Sequence, residues 1–185
     1  MPKFDIILHT DKTPERVLVE TYERMIADRS LDAFFFNGTG RTYEEFYKML
    51  NDINNIVYFG FIDHKLSGMC WLNSFRQKSA YLHPVVFSDA WGKNSVELGK
   101  RSLKTIFELK NKNGEYILEL LQGLAPSDNK LAVKYLQKCG MNILGELPNA
   151  FVKHDGSVVS GILGYCTRQE VLICQAAADQ QHQHQ

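Results

Sequence analysis

The sequence predicts an α/β (α+β) domain: a mixed, mostly antiparallel sheet with helices on both faces. Three observations predict it. Short β-rich runs recur as neighbours joined by tight polar turns, which is the pattern of antiparallel hairpins. Stretches with apolar residues at helical spacing and recognisable caps separate them. In the middle, an apolar segment, Tyr81 to Phe87, runs into a polar loop and a helix and is followed by another strand. That strand–helix–strand unit is a crossover, so one strand pair is parallel.

The elements follow in order. Phe4, Ile6 and Leu8 alternate with polar residues and predict a first strand. Thr13-Pro14-Glu15 predicts a helix start, with Thr13 as cap and Pro14 at the first helical position. Val17, Leu18, Thr21, Tyr22, Met25 and Ile26 form its apolar face. Thr42-Tyr43-Glu44-Glu45 has the capping-box pattern and opens a second helix with Phe46, Leu50 and Ile53 inward. Ile56–Ile62 and Leu66–Leu72 form a hairpin around Asp63-His64-Lys65, and a third strand covers about Ala80 to Phe87. The next helix carries Val96, Gly99, Leu103, Ile106 and Phe107 on one face and ends near Leu109. Tyr116–Leu121 reads as a strand, which Ala125-Pro126-Ser127-Asp128 breaks before a helix with Leu131, Ala132, Tyr135, Leu136 and Cys139 as its stripe. Two closing strands, Ile143–Phe151 and Val158–Cys166, join through His154-Asp155-Gly156. The expected order is β-α-α-β-β-β-α-β-α-β-β.

With 185 residues the chain is read as one domain, residues 1–174, and a Gln/His-rich disordered tail, residues 175–185. Twenty-one basic residues balance 21 acidic ones, so nothing in the overall charge points to a nucleic-acid binder. No apolar run reaches the length of a membrane span, and no membrane partner is expected. The N-terminus Met1-Pro2-Lys3-Phe4 lacks the apolar stretch of a secretion signal. Cys70, Cys139, Cys166 and Cys174 form no C-x-x-C pair. Together these features predict a cytoplasmic protein with buried free thiols. His64, His154, His182 and His184 show no metal-ligand spacing, so no metal site is expected.

The loop Trp91-Gly92-Lys93-Asn94-Ser95-Val96 opens the crossover helix. A helix N-terminus presents free backbone N–H groups and the positive end of the dipole, a ready site for an anion such as a pyrophosphate. A second pattern, Asn129, Ala132, Lys138, Gly140 and Met141, spans the following helix. With the element order, these two patterns resemble the GNAT superfamily of acyl-CoA-dependent N-acetyltransferases over about residues 3 to 168. Gly145-Glu146-Leu147-Pro148-Asn149-Ala150-Phe151 is similar to the strand that comes next in many members. The resemblance implies transfer of an acetyl group from acetyl-CoA, as cosubstrate, to an amine on a small molecule or on a protein N-terminus or lysine. It implies that the backbone of Val86 and Phe87 pairs with the pantetheine arm, that Trp91, Gly92, Lys93, Asn94, Ser95 and Val96 hold the pyrophosphate, and that Asn129 contacts the cofactor.

For catalysis, Glu119 lies among Ile117-Leu118 and Leu120-Leu121, where apolar neighbours suit a base; the alternative is an outward-facing salt bridge. His83 is a second base candidate, set against a hydrogen-bonded core histidine. Tyr135 is the tyrosine nearest the family's acid position, which Leu136 occupies here, and is set against a core aromatic. Asn94 and Val96 stand where the family has small residues, and Val96 is expected to add bulk at the cradle. These departures frame an alternative from another class: a non-catalytic GNAT-fold structural or interaction protein, as some phage-encoded virion and head-assembly proteins are, with a protein partner or a second copy on its surface.

Overall fold

The computed structural model describes residues 2–173. The tail from 175 onward, with His182 and His184, and Cys174 lie outside the described residues. The order is β1 (Phe4–Leu8), α1 (Glu15–Ala27), α2 (Ser30–Phe34), α3 (Tyr43–Leu50), β2 (Ile56–Ile62), β3 (Lys65–Arg76), β4 (Ser79–Val86), α4 (Lys93–Phe107), β5 (Leu120–Pro126), α5 (Lys130–Lys138), β6 (Asn142–Val152) and β7 (Val158–Thr167). A short helical segment at 168–173 follows. The seven strands form one sheet in the order β1-β2-β3-β4-β5-β7-β6. Of the described pairings, β4–β5 is parallel and the rest are antiparallel, as the crossover requires.

Each face has its own core. On one, Leu103, Ile106 and Phe107 of α4 and Leu136 and Cys139 of α5 cover Leu72, Leu82 and Leu121. On the other, Leu18 and Met25 of α1 and Phe46 and Leu50 of α3 cover Val57, Phe59 and Val85. Burying each such side chain is worth about 1.5–3 kcal/mol.

Several expectations are corrected. The predicted order lacks α2, a five-residue helix over Ser30–Phe34 too short to show a periodic stripe. Pro14, with ψ 132°, is the cap of α1 and not its first residue; Thr13 Oγ1 instead accepts the N–H of Thr10. Thr42 caps α3 as expected, accepting the Glu45 N–H, but Glu45 reaches back to the N–H of Arg41. That helix ends at Leu50, so Ile53 is almost fully exposed. The largest shift concerns β5, which begins at Leu120 and runs through Ala125 and Pro126. Tyr116 makes only an isolated bridge with Lys110.

Two prolines explain why β4 and β5 part company. Their register covers only Ser79↔Leu120, Ala80↔Leu121 and Tyr81↔Gln122. The Phe87 N–H donates to Ser67 O of β3 (3.0 Å). Because N–H direction alternates along a strand, the even positions 82, 84 and 86 face β5. On β5, the Leu120 N–H donates to Lys78 O (3.1 Å) and the Ser127 N–H to Ser160 O (2.9 Å), so positions 122, 124 and 126 face β4. Pro84 and Pro126 therefore lack their N–H on the sides that face each other. A proline cannot donate to a ladder and behaves as an edge residue. The strands separate beyond Tyr81 and Gln122, leaving a gap whose edges carry the backbone groups of Val86 and Leu124.

Gly99 lets α4 and α5 close over this gap. A Cβ there would stand 2.4 Å from Cys139 Sγ and 2.6 Å from the Tyr135 hydroxyl. Gly99→Val is expected to cost about 1–3 kcal/mol by overpacking, seen as a lower urea midpoint with an unchanged slope. An unchanged midpoint would contradict the tight α4–α5 approach.

Candidate active site

The mouth of the gap is built by the connection from β4 to α4. Asp28, at the end of α1, accepts both the N–H and the hydroxyl of Ser88, each at 2.6 Å. Asp89 pairs with Arg24 and with Lys65, and Lys65 beside it, with Arg24, holds its carboxyl below the ordinary range. The loop is thus fixed to α1 and β3 before it reaches Trp91. Trp91 is 63% exposed, and its indole N–H donates to Val86 O (3.0 Å).

Gly92 then caps α4 at φ 112° and ψ −147°, a conformation open to glycine and strained for other residues. With no side chain at the cap, the first-turn N–H groups of Lys93, Asn94 and Ser95 point outward without a competing acceptor. Ser95 is buried and its hydroxyl donates back to Gly92 O (2.8 Å). Lys93 and Asn94 are exposed. Val96 does not crowd these donors as expected: it packs against the core under α4. Asn94 has ordinary helical geometry, so its tolerance for positive φ is not used. Arg101 is drawn to Glu97 (2.6 Å) and lies over the Phe4 ring, away from the mouth.

Behind the mouth, β4 and the two helices enclose a narrow apolar cavity of about 40 Å3, lined among others by Tyr58, Leu82, Pro84, Leu98, Gly99 and Tyr135. The Tyr135 hydroxyl donates to Ser95 O (3.1 Å), and Leu136 is buried in the same wall. Burial, with Cys139 beside it, pushes the Tyr135 phenol well above its ordinary value, so it stays a proton donor. The buried Tyr58 hydroxyl lines this cavity with no partner among the described residues. Burial pushes the thiols up, Cys70 to about 12, Cys139 to about 11 and Cys166 to about 12. They are protonated and unsuited as nucleophiles.

The opposite face of the sheet presents a second surface at the same gap. Asn73↔Tyr81↔Gln122↔Tyr165 form one row across four strands, and Trp71↔His83 form part of the next. Alternation places these side chains away from α4 and α5. All six residues are partly exposed. The His83 ring stacks on Trp71 (4.6 Å) and meets the edge of Phe34 (6.4 Å). The Trp71 indole N–H donates to Asn55 Oδ1 (3.1 Å). Beyond α2 the chain arches toward the β6–β7 hairpin: the His154 N–H donates to Phe36 O (2.9 Å), and Phe36 meets Phe151 edge-on at 4.6 Å.

The structure brings Val86 and the loop 91–96 to one mouth, with Tyr135 in the wall of the cavity behind it. It does not bring Glu119 there. Glu119 precedes β5 at the paired end of β4–β5, its N–H bound to Lys78 O, and its carboxylate pairs with Arg168 (3.0 Å). This is the outward salt bridge that alternation allowed. Phe87 also turns away, because its N–H serves Ser67 and its ring is buried. Asn129 caps α5, accepting the Ala132 N–H (3.1 Å). His83 is hydrogen-bonded to Asn73 (3.1 Å), as a core histidine would be, yet it lies at the gap. Sequence reasoning missed the arch, the row on the second face and the role of the prolines. A proline inside each of two neighbouring strands was the available signal. Among the described residues no cluster of side chains could hold a metal ion, and no helix is long and apolar enough to cross a membrane.

No protein-family model and no curated protein matches the sequence. Solved structures do match the fold. The spermidine N-acetyltransferase of Vibrio cholerae, solved with CoA and spermine, is 18% identical with a TM-score of 0.69, over 90% of this chain and 98% of that one. The ribosomal-protein-S5-alanine acetyltransferase of Vibrio fischeri is 14% identical with a TM-score of 0.67, over 89% and 93%. The microcin C7 self-immunity acetyltransferase MccE, solved with acetyl-CoA and AMP, is 14% identical with a TM-score of 0.65, over 88% and 92%.

Burial of His83 pushes its imidazole down to about 4 from an ordinary value of 6.5. Between those values an unfolded chain binds a proton that the folded one does not, so the stability His83 contributes is lost as pH falls from 6.5 toward 4. Urea midpoints of the parent and of His83→Gln at pH 7, 5.5 and 4.5 are expected to converge toward the acid end. Parallel pH curves would contradict a buried neutral imidazole.

Proposed function

We propose that this chain, which has the fold of the GNAT N-acetyltransferases, moves an acetyl group from acetyl-CoA to an amine. The observation that carries the reading is the gap between β4 and β5 with the uncapped N-terminus of α4 at its mouth. The fold and the mouth fit one ligand shape: an extended amide-bearing arm joined to a pyrophosphate. In this reading the N–H groups of Lys93, Asn94 and Ser95, with the Lys93 ammonium, hold the pyrophosphate. The arm lies against β4, where the Val86 N–H and the Pro84 carbonyl serve as backbone partners. Tyr135 and Cys139 stand at the inner end, beside Gly99.

The reaction asks for positioning first. The amine nitrogen attacks the thioester carbonyl carbon, a C–N bond forms and the C–S bond breaks. The nitrogen loses a proton and the departing thiolate gains one. The Tyr135 phenol, kept protonated by burial, is the donor we assign to the thiolate. Glu119 would need to leave Arg168 to act as base, so we do not assign it that step. The cavity is narrow, about 40 Å3, so in this reading the passage beside Gly99 and Tyr135 widens to admit the arm. We place the activity in the cytoplasm, in keeping with three buried, protonated thiols.

The alternative is a structural or interaction role on the same fold. Calorimetry with acetyl-CoA on the full chain separates the two. Micromolar binding is expected, with thermal stabilisation of about 2.7 kcal/mol at a hundredfold excess over Kd. Gly92→Ala, which has open space for its methyl group but an unfavourable φ, is expected to weaken binding about tenfold by re-aiming the first turn. No binding at millimolar acetyl-CoA would overturn the enzyme reading and leave the interaction role.

A further inference from the structure

The second face of the gap has a chemistry of its own. Its floor carries Tyr81, His83, Gln122 and Tyr165, and Trp71 and Phe34 flank His83. The arch from Phe36 to Phe151 borders it toward the β6–β7 hairpin. The surface is aromatic and amide-rich. Of the described carboxylates on the bordering segments, Asp32 of α2 pairs with Arg41 (3.1 Å), Asp155 of the hairpin accepts from Ser157 (2.6 Å) and Glu119 pairs with Arg168; Glu146 of β6 lies opposite Ile162, in register with Ala125 and so on the other face of the sheet. The Trp71 face that could receive a cation is covered by His83. An ammonium entering here would lose its hydration without gaining a charged partner on this surface. A neutral amine with a flat ring would not, and aromatic edges and faces suit it.

His83 supplies the polar contact. Asn73 Oδ1 can only accept a hydrogen bond, so the imidazole proton sits on Nε2 and the Nδ1 lone pair is left to accept. His83 lies two residues beyond Tyr81, the last residue of β4 paired with β5, so its ring stands where the sheet opens.

Resting on the acetyltransferase reading above, we propose that this groove takes an aromatic, weakly basic amine, an arylamine, whose N–H is held by Nδ1 of His83. The amine lone pair then faces the gap. As the C–N bond forms, the N–H proton passes to Nδ1; as the C–S bond breaks, the thiolate takes the proton of Tyr135, and the proton on His83 returns through solvent to the phenolate. The products are an N-acetylarylamine and CoA thiol, with no net proton released. The nitrogen of an arylamine adduct is strongly acidic, so a weakly basic imidazole suffices to accept its proton.

The test is thiol release from acetyl-CoA by the full-length protein with three acceptors: 4-methylaniline, spermidine and a peptide offering one lysine and a free N-terminus. The arylamine is expected to exceed both others in kcat/KM by about tenfold or more. His83→Ala is expected to lower kcat by about a hundredfold with KM changed less than about threefold, while acetyl-CoA affinity by calorimetry stays the same. Faster turnover of spermidine or of the peptide would overturn the proposal, as would a kcat indifferent to His83. The ranking of acceptors needs no variant, so it stands even if His83→Ala fails to fold. Acetyl-CoA binding without arylamine turnover overturns this inference alone, whereas no acetyl-CoA binding overturns the transferase reading with it.

Discussion

The site depends on a pair of missing hydrogen-bond donors. Pro84 and Pro126 sit in neighbouring parallel strands with their nitrogens turned toward each other. A ladder continued past Tyr81 and Gln122 would find no donor at either proline. Closing the gap would therefore gain little backbone bonding, and opening it strands few donors. The sheet is intact on both sides because β3 and β7 satisfy the outer edges of β4 and β5. A seven-stranded sheet can in this way hold a slot near its centre, open toward α4 on one face and toward the row from Tyr81 to Tyr165 on the other.

The helices decide what each opening admits. On one side, the loop after β4 is pinned by Asp28, Arg24 and Lys65 before Gly92 turns it into α4. The anchoring fixes the direction in which the first-turn N–H groups point, and Gly92 leaves them without an internal acceptor. On the other side, the residues of the row from Tyr81 to Tyr165 stay partly exposed among the described residues. The first face presents the outward N–H groups of the α4 first turn, and the second presents aromatic and amide side chains. Gly99, Tyr135 and Cys139 mark the point where α4 and α5 lean together and narrow the passage between them.

Much of this was legible in the sequence, for reasons tied to particular residues. The hairpin at Asp63-His64-Lys65, the Thr42 cap and the crossover at Trp91–Val96 are local signals, and the structure keeps all three. The boundary of β5 was not legible. Tyr116–Leu121 is as apolar and β-prone as Leu120–Pro126, and the outcome is decided by pairing with β4 and β7, which one segment cannot reveal. Glu119 followed that error, since a residue placed mid-strand lies in fact before it and meets Arg168, 49 positions later. Phe87 illustrates the limit of period-two reasoning: the strand was found, but which residues turn their N–H groups to the gap needs the partner strands. The arch over the second face joins Phe36 to Phe151 and His154, a contact with no local signature.

The facing edges of β4 and β5 are open beyond Tyr81 and Gln122, and in the proposed function they hold an arm of the cosubstrate. Amide hydrogen exchange, followed by NMR with and without saturating acetyl-CoA, tests it most directly. The Val86 and Leu124 amides are expected to exchange much faster than that of Val85 in the free protein. Val86 is expected to slow by about tenfold or more on ligand addition, with shifts at Lys93, Asn94 and Ser95. A Val86 amide as protected as Val85 in the free protein, or unmoved by saturating ligand, would contradict it.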